Sequence, residues 1–202
     1  MRHDAPISAP EPVFYFGAMS PYSWFAAERI GDLLPEARWR GVLAGAVFKA
    51  NDRTSWGLTD RREAGIADCE QRAAERGLGP IVWPDPWPTS DLLVARAMTF
   101  ADSLGRLKQY ALAAMRLCFL EGRDLGEPEV VLQAAARSGL DPRELEQAIA
   151  GQAVKDALRD LTAEAIDAGV FGVPSIVIGE ELYWGDDSLE RAVQAYRVHS
   201  SL

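Results

Sequence analysis

Apolar and polar positions along this chain fall into two alternating rhythms. Val13-Phe14-Tyr15-Phe16 is a short, uninterrupted run of β-forming residues and predicts a buried strand. Gly17-Ala18-Met19 turns the chain. Ser20 followed by Pro21 reads as a helix N-cap and first helical position, opening a helix over Tyr22 to Leu34 that Pro35 ends. Ala37 to Leu43 predicts a second strand. From about Ala46 to Ala168 the strand rhythm disappears. Arg61 to Arg76 is a charged, alanine-rich helix stopped at Gly77. Leu93, Ala97, Phe100, Leu104, Leu107 and Ala111 step by three or four and form one apolar face, which Gly105 can divide. Thr89-Ser90-Asp91 offers its caps. Glu129 to Arg137, Asp141 to Ala150 and Gln152 to Ala168 predict three more helices; Asp141 with Glu144 fits a capping box, and Gly169 stops the last. Strand rhythm returns in Ser175-Ile176-Val177-Ile178 and, beyond a Gly179-Glu180 turn, in Leu182-Tyr183-Trp184. The final amphipathic helix runs from Asp187 to Tyr196, with Asp187 and Glu190 spaced as a capping box.

The order is therefore β-α-β, a helical block, then helix-β-β-α. It predicts an α/β fold: a thioredoxin-like mixed four-stranded sheet with a large all-helical insertion. Residues 13–45 and 169–202 would form the thioredoxin-like domain, 46–168 the inserted helical domain, and 1–12, with Pro6, Pro10 and Pro12, a flexible N-terminal tail. Composition narrows the chemistry. A net charge of −9 disfavours nucleic acid, which calls for Lys/Arg stripes. No apolar run approaches the roughly 18 residues of a membrane-spanning helix, and the first twelve residues lack the apolar core of a signal peptide, so a cytoplasmic protein without a membrane partner is expected. His3 and His199 lie near the chain ends. Cys69 and Cys118 are far apart and lie within predicted helices, where they read as small buried hydrophobes. A metal site, a disulfide and His-based catalysis are all poorly supported.

Three separated segments carry a family likeness. Phe14-Tyr15-Phe16-Gly17-Ala18-Met19-Ser20-Pro21-Tyr22-Ser23-Trp24 resembles the first strand, active-site turn and helix of the 2-hydroxychromene-2-carboxylate isomerases, relatives of kappa-class glutathione transferases and DsbA-type oxidoreductases. Gly172-Val173-Pro174-Ser175 is similar to that family's cis-proline turn. Trp184-Gly185-Asp186-Asp187, followed by Leu189, resembles its closing glutathione-binding turn. Weaker matches lie at Lys49, Asn51, Arg61-Arg62-Glu63, Trp87-Pro88 and Ala95-Arg96. The likeness spans about residues 12 to 197. Two departures matter: Ser20 and Ser23 stand where the oxidoreductase branch has its cysteine pair, so dithiol redox chemistry lacks a nucleophile, and Thr89-Ser90 replaces an asparagine-serine pair.

The resemblance implies glutathione, or another low-molecular-weight thiol, as cofactor, held by Ser20, Val173, Pro174, Asp186 and Asp187, with Ser20 as the catalytic residue. Each position also has a plainer reading. Ser20 can simply cap its helix, although a hydroxyl both accepts and donates, so it can also bond a thiolate that the helix N-terminus favours. A free thiol with a pKa near 8.5 is about 3% ionised at pH 7, and a drop of roughly two units would ionise most of it. Val173-Pro174 can be an ordinary trans bend; in the family's cis form it presents the Val173 peptide to an extended ligand. Asp187 can cap the last helix or pair with the γ-glutamyl ammonium, while the Asp186 backbone would bind the carboxylate beside that ammonium. Lys49 is either solvated surface or a partner for a carboxylate; Asn51 either forms a turn or bonds substrate. Trp87, with Trp56 and Trp83, either packs the loop or lines an aromatic pocket. Arg61 and Arg62 read as a solvated helix face.

The function implied is a glutathione-dependent cis-trans isomerase of a small unsaturated aromatic 2-oxo or 2-hydroxy acid, working by reversible thiolate addition, with Lys49, Asn51 and Trp87 on the substrate side. A kappa-class-like glutathione transferase and a non-catalytic thiol- or peptide-binding module are the alternatives. A homodimer is left open.

Overall fold

The computed structural model describes residues 10–200. Four strands form one mixed sheet: β1 (Val13–Phe16), β2 (Arg38–Gly41), β3 (Ser175–Ile178) and β4 (Glu181–Trp184), in spatial order β2-β1-β3-β4. β1 runs parallel to β2 and antiparallel to β3, and β3 and β4 form a hairpin. α1 (Pro21–Leu33) crosses from β1 to β2, and α9 (Leu189–His199) follows β4. Between β2 and β3 the described chain is helical: α2 (Ala44–Ala50), α3 (Arg62–Glu75), α4 (Leu92–Ser103), α5 (Leu107–Glu121), α6 (Pro128–Ser138), α7 (Pro142–Ala150) and α8 (Gln152–Asp167). This is the thioredoxin-like frame with a helical insertion that the element order predicts. Among the described residues no helix is long and apolar enough to cross a membrane.

β1 is one of the two inner strands and is covered on both faces, which is why its sequence is an unbroken apolar run. Side chains alternate across a strand. Phe14 and Phe16 therefore share one face, stacked with centroids 5.1 Å apart and met edge-on by Trp39. Tyr15 points to the other, packing with Val42, Val47, Val170 and Val173. α1 is fixed by Trp24 and Phe25, both fully buried, and Trp24 stacks on Phe119 of α5 at 5.4 Å.

Four local expectations need correcting. The apolar face drawn through Leu104 does not exist as one surface. α4 ends before Gly105, whose φ is +67°, while the Arg106 N–H reaches back to the Ala101 carbonyl at 2.8 Å. Leu104 is left 49% exposed at the break, and α4 buries Val94, Ala95, Ala97, Met98 and Ala101 instead. Asp91 precedes α4 without capping it; its carboxylate accepts the Gly45 N–H of α2 at 3.3 Å. Asp187 does not cap the last helix, because a short 3-10 turn over Asp186–Ser188 closes first and leaves Ser188 at the cap position. The tail reading fails at its C-terminal end: Pro12 is buried and its carbonyl accepts the Arg38 N–H at 2.8 Å, extending the β1–β2 pairing. Residues 1–9 lie outside the described residues.

Glu28 of α1 ties this core to α5. Its carboxylate accepts from the Trp24 indole N–H at 2.9 Å and from Arg116 at 2.8 and 2.7 Å. Burial opposes ionisation, but the bonds from Arg116 and Trp24 outweigh it and hold the pKa below the ordinary range. A depressed carboxyl contributes stability above its unfolded pKa, near 4.3, that is lost as pH falls through the folded value. Glu28→Gln is therefore expected to cost about 1 kcal/mol at pH 7, since Arg116 is half exposed. The variant should also show a flatter loss of Tm below about pH 4.3. Thermal melts from pH 7 to 3 check this; an acid limb as steep as the parent's would refute it.

Candidate active site

The site begins where β1 delivers the chain into α1. Ser20 is the N-cap, with φ −94° and ψ 119°; its Oγ accepts the Ser23 N–H at 3.2 Å and its own N–H donates to the Gly17 carbonyl at 3.1 Å. The hydroxyl is thus used as an acceptor, and its hydrogen remains for a group in front of the helix. Ser23 is fully buried and accepts the Gly17 N–H at 3.4 Å, holding the turn from behind. The two serines divide the work: one supports the turn, the other faces out.

The turn entering β3 lies beside it. The Val173–Pro174 bond is cis, as the resemblance implies. Among the described residues the Val173 N–H and C=O make no backbone hydrogen bond, whereas the Pro174 carbonyl accepts the Gly185 N–H at 3.0 Å. That bond joins the proline turn to the turn leaving β4. Gly172 is needed for this approach, because a Cβ there would meet Trp184 Nε1 at 2.7 Å.

Ser20, Lys49, Trp87, Val173, Asp186 and Asp187 all line one cleft of about 1250 Å³. The structure thus gathers six of the eight residues singled out from the sequence. Pro174 is buried directly behind Val173. Asn51 is not brought to the cleft wall: its amide donates to the Val47 and Val170 carbonyls, at 2.9 and 3.4 Å, and ties the end of α2 to the loop before β3.

The two aspartates differ sharply. Asp187 is exposed, and its carboxylate folds back over Gly185. The Asp186 side chain is 1% exposed and turned inward, paired with Arg76 and with Arg72 at 3.1 Å. Burial pushes its pKa up, against the pull of both arginines. Asp186 can therefore offer a ligand only its main chain, whereas Asp187 can also offer its carboxylate.

One wall is aromatic. Trp87 lies 4.7 Å from Trp83 and 5.2 Å from Trp56, centroid to centroid, and Arg62 donates to the Trp87 carbonyl. Trp56 packs flat against α3 at Gly65, where any Cβ would collide with its ring. A glycine inside a strong helix former is the sequence trace of that contact.

Several cleft residues escaped the sequence reading. Arg72, placed in a charged helix, donates to Asp68 at 2.9 Å, reaches Asp186, and lies 5.4 Å above the Tyr22 ring. Tyr22 itself donates to Asp68 at 2.9 Å. Arg53, exposed at the rim, lies against both the Trp184 and the Phe171 ring. Cys69 and Cys118 are free and buried, as expected; burial pushes the Cys69 thiol up to about 12 and raises Cys118 further, so neither is poised as a nucleophile.

A four-stranded mixed sheet, a capped helix facing a cis-proline turn and a serine in the leading position define a thioredoxin-fold protein without a redox pair. The chain belongs to the DSBA-like thioredoxin domain family, whose model matches residues 13–197. Among curated proteins it is similar to the 2-hydroxychromene-2-carboxylate isomerase of Sphingobium xenophagum, 25% identical over 191 residues, covering 88% of this chain and 93% of that protein. It is also similar to the isomerase of the same name from Pseudomonas putida, 22% identical over 183 residues, covering 87% and 89%. Among solved structures, a 2-hydroxychromene-2-carboxylate isomerase superposes with a TM-score of 0.79 at 22% identity, covering 93% of this chain and 94% of that one. A probable DsbA oxidoreductase from Streptomyces coelicolor gives 0.71 at 19% identity, covering 93% and 89%.

Proposed function

We propose that the chain is a glutathione-dependent isomerase of the 2-hydroxychromene-2-carboxylate type. The observation that carries this reading is the outward Ser20 hydroxyl at the start of α1, facing the same cleft as the open Val173 peptide. These groups fit a thiol peptide: an extended ligand can pair with Val173 as an added strand would, and its sulfur then meets the helix N-terminus. A thiol bound there would supply the nucleophile for reversible addition to a conjugated C=C bond, the chemistry that allows rotation about it.

The protein's own residues do the rest. Ser20 donates to the sulfur and holds it as thiolate, while its Oγ keeps capping α1 through Ser23. Asp187 offers a carboxylate to the ligand's ammonium, and the 185–187 main chain meets the adjoining carboxylate. Trp56 and Trp87 form a wall against which an aromatic substrate stacks, and Lys49 pairs with the substrate carboxylate. The names of the curated relatives support the reaction class.

The test is product analysis with 2-hydroxychromene-2-carboxylate and glutathione. The expected result is a product of unchanged mass with inverted double-bond geometry, formed only when the thiol is present. A stable thioether carrying the combined mass would instead make the protein a transferase. Thiol binding with no turnover would make it a binding module.

A further inference from the structure

We propose that Arg53 is the receptor for the C-terminal carboxylate of the bound thiol peptide and sets which thiol the cleft accepts; this rests on the thiol-dependent reading above. The backbone places Arg53 firmly. α2 ends in a paired turn in which the Arg53 N–H reaches the Phe48 carbonyl at 2.9 Å and the Asp52 N–H reaches that of Lys49 at 3.3 Å, with Asp52 at φ +53°. The side chain, though exposed, rests on two rings. Its guanidinium carbon lies 4.8 Å from the Trp184 ring centroid and 5.2 Å from that of Phe171, the two rings being 5.2 Å apart. Aromatic contact of this kind occupies the face of a guanidinium and leaves the N–H groups along its edge free for a planar carboxylate.

No carboxylate among the described residues lies within ion-pair distance of Arg53. Arg61, Arg191 and Lys49 on the same cleft share that lack, and Arg53 differs from them in resting on the paired Phe171 and Trp184 rings. A ring-backed arginine without an acid, on the wall of a cleft, is arranged for an anion that arrives with a ligand.

Direction selects the anion. The turn bearing Asp187 is bonded to Pro174, on the C-terminal side of Val173. Arg53 lies over Phe171 and over the Trp184 ring that packs on Gly172, on the N-terminal side. An extended peptide paired with Val173 and holding its ammonium at Asp187 sends its other end toward Arg53. That end of glutathione is a carboxylate.

Calorimetric titration of the wild type, Arg53→Met and Arg53→Lys with glutathione and with its C-terminal amide tests the assignment. The wild type should bind glutathione about tenfold more tightly than the amide, equivalent to about 1.4 kcal/mol. Arg53→Met should bind both alike, at the level of the wild type with the amide, and Arg53→Lys should keep part of the preference. The proposal is overturned if the wild type does not distinguish acid from amide, or if Arg53→Met keeps the preference. It is also overturned if Arg53→Met weakens both ligands equally, since Arg53 then only staples Trp184 to α2. A higher KM for 2-hydroxychromene-2-carboxylate with unchanged thiol preference would reassign Arg53 to the substrate and overturn it too. Failure of the wild type to bind either thiol would sink the underlying function together with the proposal, and is distinguishable from every outcome in which a thiol binds.

Discussion

Ser20→Ala should lower turnover by roughly tenfold to a hundredfold while leaving the fold intact. A hydrogen bond to a charged group is worth about 1.5–3 kcal/mol, and each 1.36 kcal/mol in a barrier is a factor of ten. The bond favours the thiolate over the thiol, so its loss raises the bound thiol's pKa, and the limb of the pH–rate profile that reports thiol ionisation should move to higher pH. The same substitution removes the N-cap of α1, at about 1 kcal/mol of stability. Ser20→Asp separates the two effects. Aspartate still accepts the Ser23 N–H and caps the helix, but at neutral pH it donates nothing and sets a negative charge beside the thiolate. Its melting temperature should stay near the parent's while turnover falls at least as far as in Ser20→Ala. Steady-state rates from pH 6 to 10, with melts of both variants, check this; a Ser20→Ala enzyme with an unaltered pH–rate profile would falsify the catalytic role.

Ser20 was legible because its information is local. A serine followed by proline after a buried strand is a helix start whatever the rest of the chain does, and Gly172-Val173-Pro174 and Gly185 mark turns in the same way. The strands were equally plain, since burial on both faces of β1 requires an apolar run and the short β3–β4 hairpin carries its own turn. What escaped was set by partners remote in sequence. Arg72 reads as a solvated helix charge until the fold brings it to Asp186, 114 positions away. Arg53 looks like a loop cation until the fold brings the Phe171 and Trp184 rings beneath its guanidinium. Asp91 has the composition of a cap for its own helix, yet the neighbouring N-terminus of α2 lies closer to its carboxylate. Asp186 and Asp187 are adjacent and chemically alike, so pattern alone cannot say which turns inward. Packing against α1 and α3 decides it.

That inward turn gives Asp186 the largest stability effect expected in the site. Its carboxylate meets Arg72 of α3 and Arg76 just past the end of that helix, with Arg29 of α1 close enough to influence its charge, and it anchors the turn that carries the 185–187 main chain to the cleft. Asp186→Ala strips the anion from partly buried arginines and should cost about 3 kcal/mol, because removing one partner of a buried pair leaves its charge uncompensated. Asp186→Asn keeps the shape and an acceptor and should cost less than half as much. The pKa direction agrees with that ranking. Burial raises the folded pKa above the unfolded one, so the native state holds its proton in a pH range where the unfolded state has lost it. The contribution of Asp186 therefore declines as pH rises from about 3.9 through the folded value, opposite in sign to that of Glu28. Asp186→Asn should accordingly make stability fall more steeply than the parent's as pH drops toward about 3.9, where Glu28→Gln flattens the acid limb. Thiol affinity should follow stability in this pair of variants, falling strongly in Asp186→Ala as the turn loosens and modestly in Asp186→Asn. Denaturant titrations at pH 7 and 4 with parallel binding measurements decide the matter, and an Asp186→Ala protein as stable as the parent would remove the anchoring role.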